Sequence, residues 1–310
     1  MNKNFKGRDF TTVLDFSKEE LWYALSYAKD LKLKRMAQEE VSILRGKILA
    51  LIFEKPSLRT RVSFEVGMKE LGGDTIYLSP QDIGLGKRES VKDTAEVIAR
   101  YVSGIMVRTF SHKIVEDLAK YADIPVINGL SDTYHPCQAM GDMLTIWEKK
   151  GRIDGVNIAF IGDGNNVANS LMLLSTRLGA NFSIASPKGY EIKEEILEIA
   201  KKEAERSGSR ILITDDPMEA AKGADVIYTD VWASMGQESE KEERKRIFSS
   251  YLVNMELVRG AKDDVIVMHC LPAHRGEEIT DEVIDSPYSV VIQQAENRLH
   301  AQKAILALVL

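Results

Sequence analysis

The sequence predicts an α/β fold of two domains, each a parallel sheet flanked by helices. Short apolar runs alternate with segments whose apolar residues recur at helical spacing, the pattern of strand and helix units in a parallel sheet. The alternation halts at Lys149-Lys150-Gly151, a basic last turn followed by a glycine, and then begins again. A length of 310 residues suffices for two ordinary hydrophobic cores. The boundary is therefore expected at residue 150, with residues 1–150 forming one domain and the second starting at 151.

Ser17-Lys18-Glu19-Glu20 has the form of a capping box, and Leu21, Ala24, Leu25, Ala28 and Leu31 repeat at helical spacing, so a helix should run to the Lys-rich segment at 30–35. Ile48 to Phe53 reads as a buried strand, and the spacing beyond Pro56 predicts a helix through Leu71. Gly72-Gly73-Asp74 turns the chain into a short strand, Thr75 to Leu78. Residues 79–90 read as a loop whose Gly84, Gly86, Lys87 and Arg88 suit a lid or an arm towards another subunit. A helix (91–101), a strand (104–108), a helix (114–122), a strand (125–129) and a longer helix from His135-Pro136 to Lys150 follow.

The second half repeats the scheme with strands at 156–161, 182–185, 210–214, 226–228 and 265–268. Helices are expected at 167–178, 193–205 and 218–222, a charged stretch at 238–246, and a final helix at 295–310. No sequence repeat or low-complexity tract interrupts the order.

Composition narrows the function. With 44% hydrophobic and 28% charged residues the chain reads as globular, and a net charge of -6 argues against a nucleic-acid scaffold and for small anionic ligands held in a local basic pocket. Two distant cysteines, Cys137 and Cys270, suggest neither a disulfide framework nor a Cys-rich zinc site, which points to a reducing, cytoplasmic setting. No apolar signal core follows Met1, and no apolar run approaches the roughly 18 residues of a membrane helix.

Ligands of open α/β sheets gather at the carboxyl ends of strands, so the polar residues there are the candidates for chemistry. Ser57-Leu58-Arg59-Thr60-Arg61 lies at a strand-to-helix turn, with Ser57 as N-cap, and brings free N–H groups, the helix dipole, two guanidiniums and two hydroxyls to one place. That suits a doubly charged oxyanion such as phosphate, although a capped helix with two solvated arginines would read the same way. Arg108 ends a strand. His135-Pro136-Cys137-Gln138 opens a helix, where imidazole and carboxamide can address a carbonyl oxygen and an amino group. Gly162-Asp163-Gly164-Asn165-Asn166-Val167 invites a dinucleotide reading but lacks the third glycine and a ribose-binding acid, so Asn165 and Asn166 are assigned instead to an amino-acid head group. Asp230 to Gly236 offers a carboxylate for an ammonium group. His269-Cys270-Leu271-Pro272-Ala273-His274 superficially resembles a metal motif, but no second cluster completes four ligands.

Together and in this order, Ser57 to Arg61, Arg108, His135 to Gln138, Asp230 to Gly236 and His269 to Pro272 resemble the aspartate/ornithine carbamoyltransferases, and the ornithine branch in particular. The resemblance implies a first domain, 1–150 with 290–310 returned to it by the C-terminal helix, that binds carbamoyl phosphate, and a second, 151–289, that binds ornithine. It implies that Ser57, Leu58, Arg59, Thr60, Arg108, His135, Gln138, Cys270, Leu271 and Arg298 contact carbamoyl phosphate, and that Asn166, Asp230, Ser234 and Met235 contact ornithine. Arg59, Arg108, His135, Asp230 and Cys270 would be the catalytic set, acting in a transfer without metal or cofactor in the biosynthesis of arginine. A homotrimer, or a multiple of trimers, with no nucleic-acid or membrane partner is the implied assembly. Two departures stand out: Leu58 occupies a position usually held by Thr, and Gly84 one often held by Gln, which leaves the intersubunit contact to Lys87 or Arg88. Sister enzymes acting on putrescine, aspartate or an acylated ornithine, and a non-catalytic anion-binding regulator, are the alternatives.

Overall fold

The computed structural model describes residues 5–85, 89–233 and 238–310, and in it strands and helices alternate much as the apolar spacing predicts. The chain divides into two compact units, Met1–Leu144 with Asn297–Leu310, and Thr145–Glu296.

In the first unit, β1 (Ile48–Phe53), β2 (Asp74–Leu78), β3 (Gly104–Arg108) and β4 (Val126–Leu130) form a parallel sheet in the order β2-β1-β3-β4. The inner strands are apolar along nearly their whole length because both faces are covered: Leu49 to Phe53 and Ile105 to Val107 are all buried. From β1 the chain moves to one neighbour and then crosses back to the other side, so a crevice opens at the carboxyl ends of β1 and β3. Phe53 is in register with Arg108 there.

Helix α1 (Lys18–Met36) starts at a capping box in which Ser17 N–H donates to Glu20 Oε2 at 2.8 Å, and it buries the five residues whose spacing predicts it. Helices α2 (Leu58–Glu70), α3 (Pro80–Ile83), α4 (Val91–Ile98), α5 (His112–Tyr121) and the start of α6 (Pro136–Lys150) follow. The one-turn α3 lies where composition predicts only loop. Ser79 N–H donates to Asp82 Oδ2 at 2.8 Å, Pro80 fits the first helical position, and Gly84 ends the turn at φ +52°, a device too short to leave a period in the sequence. Lys87 and Arg88 lie outside the described residues.

In the second unit, β5 (Asn157–Ile161), β6 (Asn181–Ala185), β7 (Ile211–Thr214), β8 (Val226–Thr229) and β9 (Ile266–His269) form a parallel sheet in the order β7-β6-β5-β8-β9. The reversal falls between β5 and β8, which places the crevice at Gly162 to Asn166 and at Asp230. Helices α7 (Asn166–Leu178), α8 (Glu194–Ser207) and α9 (Pro217–Ala221) match the predicted segments.

Three further helices, α10 (Lys241–Ile247), α11 (Met255–Arg259) and α12 (Asp281–Ile284), were not legible. α10 has no apolar stripe, since the side chain it buries is Arg244, and the other two are too short for a period. The last helix, α13 (Val291–Val309), begins a turn earlier than expected and belongs to the first unit from Asn297 onward. Lys303 pairs there with Glu70 at 2.6 Å, and Val309 O accepts the Gly7 N–H at 3.0 Å. Among the described residues, no helix is long and apolar enough to cross a membrane.

Candidate active site

At the carboxyl end of β1, Pro56 and the extended Ser57 (φ -162°, ψ 115°) delay helix formation until Leu58, and Ser57 Oγ accepts the Thr60 N–H at 3.3 Å. The other N–H groups of the first turn and the positive end of the helix remain at this edge. The two motif arginines divide their roles. Arg61 is committed: it pairs with Glu65 at 2.8 Å and lies over the Tyr77 ring, 3.9 Å from its centroid. Arg59, half-buried, forms no ion pair among the described residues. Thr60 is fully buried, and its Oγ1 accepts from Nη2 of the buried Arg298 at 2.9 Å. Leu58 is 75% exposed, so what it offers the turn is its N–H.

His135 immediately precedes α6 and is buried. Burial holds its pKa well below the usual imidazole range, and the positive charges of Arg298, Arg108 and Arg59 lower it further, in that order. Three guanidiniums thus act on one imidazole, which is neutral at neutral pH and remains an N–H donor. Three residues along, buried Gln138 donates from Nε2 to Asp142 Oδ1 at 2.8 Å. A carboxylate only accepts, so this bond fixes the amide's orientation and leaves Oε1 as a buried acceptor with no partner among the described residues. Cys137 between them donates to Asn128 O at 3.4 Å, and burial pushes its thiol up to about 12, which makes it inert.

Gly141 lets α6 approach α13 closely, since a Cβ there would lie 3.1 Å from Arg298 Cγ and 3.2 Å from Arg298 Cα and N. The carboxyl edge of the first unit's sheet therefore combines guanidiniums, a helix N-terminus, a neutral imidazole donor and an amide acceptor. Such a set can hold a phosphate, the carbonyl oxygen attached to it and an adjoining NH₂ group.

In the second unit the Gly162-x-Gly164 pattern serves packing. A Cβ on Gly164 would come within 2.4 Å of Ile192 N, and Gly164 N–H donates to Tyr190 O at 2.8 Å. Asn166 is the first residue of α7, while Asn165 is its N-cap. Asp230 is buried at the end of β8; Asn165 Nδ2 donates to its Oδ2 at 2.8 Å and Cys270 Sγ donates to its Oδ1 at 2.9 Å. A carboxylate so held is suited to receive an ammonium group.

The Cys270 turn is fixed by groups behind it. His269 Nδ1 accepts the Leu271 N–H at 2.9 Å, so its proton sits on Nε2, which donates to the buried Glu278 at 3.0 Å. Leu271 has φ +57°, a left-handed conformation that this bond supports, and the Leu271-Pro272 peptide is cis. Gln294 Oε1 accepts the His269 N–H at 2.9 Å. Ligand-type atoms of Asp230, His269 and Cys270 lie within 4.8 Å of one another, but both His269 ring nitrogens and the thiol are engaged in these hydrogen bonds. A second grouping, His274, Glu277 and Glu278, is opposed by Lys245, 3.0 Å from Glu277.

The first unit thus gathers Ser57, Leu58, Arg59, Thr60, Arg108, His135, Gln138 and Arg298 at the crevice of its sheet or against the residues there. The second holds Asn166, Asp230, Cys270 and Leu271 at its own. Ser234 and Met235 lie outside the described residues. Sequence reasoning missed Arg244, Glu278 and the orienting part of Asn165. Arg244 donates from Nη1 to Asp163 Oδ2 and to Trp232 O, both at 2.9 Å, and so ties together the two loops of the crevice, yet in sequence it is one charge within a charged run.

Residues 8–148 match the family described as aspartate/ornithine carbamoyltransferase, carbamoyl-P binding domain, and residues 154–309 match its Asp/Orn binding domain. The chain is 57% identical over 307 residues to the ornithine carbamoyltransferase of Pyrococcus abyssi, covering 99% of this chain and 97% of that protein. It is 58% identical over 304 residues to the anabolic ornithine carbamoyltransferase of Pyrococcus furiosus, covering 98% and 96%. The solved structure of ornithine carbamoyltransferase from Pyrococcus furiosus superimposes with a TM-score of 0.97 at 57% identity, covering 99% of this chain and 98% of that one. The chain belongs to the aspartate/ornithine carbamoyltransferase family.

Proposed function

We propose that this protein transfers the carbamoyl group of carbamoyl phosphate to the δ-amine of L-ornithine, giving L-citrulline and phosphate. The observation that carries the reading is the convergence of Arg298, Arg108 and Arg59 on a buried, neutral His135 beside the capped turn at Ser57. Identity above half to ornithine carbamoyltransferases across the whole chain selects ornithine over putrescine, aspartate or an acylated ornithine.

The phosphate is held by Arg59, Ser57 and the N–H groups from Leu58 onward, with the hydroxyl of Thr60 steadied by Arg298. The carbamoyl oxygen takes hydrogen bonds from Arg108 and His135, and its NH₂ group donates to Gln138 Oε1. When the neutral δ-amine attacks the carbonyl carbon, the C–N bond forms, negative charge gathers on the oxygen, and these preorganised donors stabilise it. The C–O bond to phosphate then breaks, the attacking nitrogen gives up its extra proton to the leaving phosphate oxygen, and the helix N-terminus with Arg59 receives the departing hydrogen phosphate dianion. A free amine near pKa 10 is mostly protonated at neutral pH, so the amine must lose a proton before attack. Asp230 and Cys270 are the groups that receive the amine end, and Leu271 lines the same turn. Asn166 holds the amino-acid head group, and Ser234 and Met235, outside the described residues, are proposed as further contacts to ornithine.

A homotrimer or a multiple of trimers is the proposed assembly, and the exposed apolar side chains on β2 (Ile76) and α2 (Leu58, Val62), with Tyr101 just past α4, are surface available to contacts between subunits. Two free cysteines suit a cytoplasmic setting, and the anabolic relative favours a role in arginine biosynthesis.

The test is product analysis with and without Arg59. Purified protein should form citrulline and phosphate in equal amounts, and Arg59→Ala should lower the rate by about a hundredfold or more. An unchanged rate in Arg59→Ala would remove that residue from the reaction.

A further inference from the structure

An N-cap needs only a side-chain oxygen, and Asn165 provides one: its Oδ1 accepts from Val167 N at 2.9 Å and Ala168 N at 3.1 Å. Serine, threonine or aspartate would serve equally well for that purpose. Because two backbone donors fix the oxygen, the amide nitrogen is directed elsewhere, and it meets Asp230 Oδ2 at 2.8 Å across the point where the strand order reverses. The other oxygen of Asp230 receives the Cys270 thiol at 2.9 Å. One oxygen is thus held by a turn with left-handed backbone and the other by a side chain anchored to the start of a thirteen-residue helix.

We propose that Asn165 is a positioning residue that aims the Asp230 carboxylate at the substrate amine, with its helix-capping oxygen serving as the anchor for that task. The inference rests on the carbamoyl transfer proposed above. The charged and titratable groups around Asp230 are the Cys270 thiol, the His269 ring and the Asp163 carboxylate. Asp163 is pushed up to about 6 chiefly by burial and in part by Asp230, against the pull of Arg244. A neutral donor at position 165, like the Cys270 thiol on the other oxygen, therefore meets Asp230 without repulsion in this acidic surrounding.

Two variants separate aiming from capping. Asn165→Asp keeps a cap oxygen of equal quality but turns the donor into a second carboxylate. Two carboxyl groups at hydrogen-bond distance cannot both remain ionised, so the pair retains a proton and the acid limb of the pH–rate profile moves up by about one unit or more. Asn165→Ser keeps the cap and loses the donor without adding charge. Both should fold with a Tm within about 3 °C of wild type and lose at least about tenfold in kcat/KM for ornithine, with the KM for carbamoyl phosphate unchanged. Only the aspartate variant should shift the acid limb.

Wild-type values of kcat/KM for ornithine in both variants, with an unmoved acid limb, would overturn the assignment. So would activity lost only in step with Tm. Wild-type citrulline formation is measured first, and its absence removes the functional reading alone. The Asp230 carboxyl titration followed by ¹³C NMR then decides the inference without turnover: it moves to higher pH in Asn165→Asp if the contact exists, and stays in place if it does not.

Discussion

Replacing Gly141 by alanine sets helix propensity against helix packing. In the interior of α6, alanine is favoured over glycine by about 1 kcal/mol. Against this, the new Cβ would lie 3.1 Å from Arg298 Cγ and 3.2 Å from Arg298 Cα and N, where ordinary contact begins at 3.4 Å. The Cγ can swing aside, but the other two atoms are backbone, so α13 must retreat by about 0.2 Å or more at Arg298. Overpacking of this kind costs about 1–3 kcal/mol, which leaves a net loss between zero and about 2 kcal/mol. Stability should fall by a few degrees in Tm at most.

The functional effect should be larger, because the displaced residue is the one that holds Thr60 Oγ1 at 2.9 Å and bears on His135. Small misplacements of positioning groups are costly, so KM for carbamoyl phosphate should rise by about tenfold while KM for ornithine stays put. Steady-state kinetics with each substrate varied in turn, beside a thermal melt, reads both effects. A raised Tm with unchanged KM for carbamoyl phosphate would mean that the helices absorb the methyl group freely, and would refute the account of why Gly141 is there.

Two further substitutions test the first unit. Burial pushes Asp9 up to about 6, although its Oδ1 accepts the Val126 N–H at 2.8 Å, and the charge of Asp15 adds to the rise. The folded chain therefore holds this proton more tightly than the unfolded one, and ionisation costs stability as pH rises from about 4 to above 6. Asp9→Asn keeps a neutral acceptor, so its Tm gain over wild type should grow across that window and level off above about pH 7; a gain confined to acid pH would contradict the sign. Gln302 is completely buried, with neither Oε1 nor Nε2 partnered among the described residues. Gln302→Met should stabilise by about 1–3 kcal/mol in urea denaturation, and a loss of stability would show that the amide is satisfied after all.

What the sequence revealed, and what it hid, follows from how far each signal reaches along the chain. Strands β1, β3, β5 and β8 were legible because strands covered on both faces are largely continuous apolar runs bounded by polar turns. The capped start of α1 and the Ser57 cap of α2 were legible because a cap is written within four residues. The Ser57 turn, Arg108, His135 and Asp230 could be named because each ends or directly follows a strand or opens a helix.

What stayed hidden depends on residues distant in sequence. Arg59 and Arg61 look alike until Glu65 and Tyr77 claim the second of them. Arg244 is a surface charge on paper and a buried brace in the fold. The sequence groups Asn165 with Asn166 for the amino-acid head group and does not show that its oxygen caps α7 and its nitrogen reaches Asp230, a carboxylate 65 residues away.

An acceptor screen decides which amine this protein carbamoylates. With carbamoyl phosphate fixed, phosphate release is followed for L-ornithine, putrescine, L-aspartate and Nα-acetyl-L-ornithine, and each product is identified by mass. L-Ornithine should give the highest kcat/KM, with citrulline and phosphate formed one to one. A higher kcat/KM for any of the other three acceptors, or phosphate release without a carbamoylated product, would contradict it.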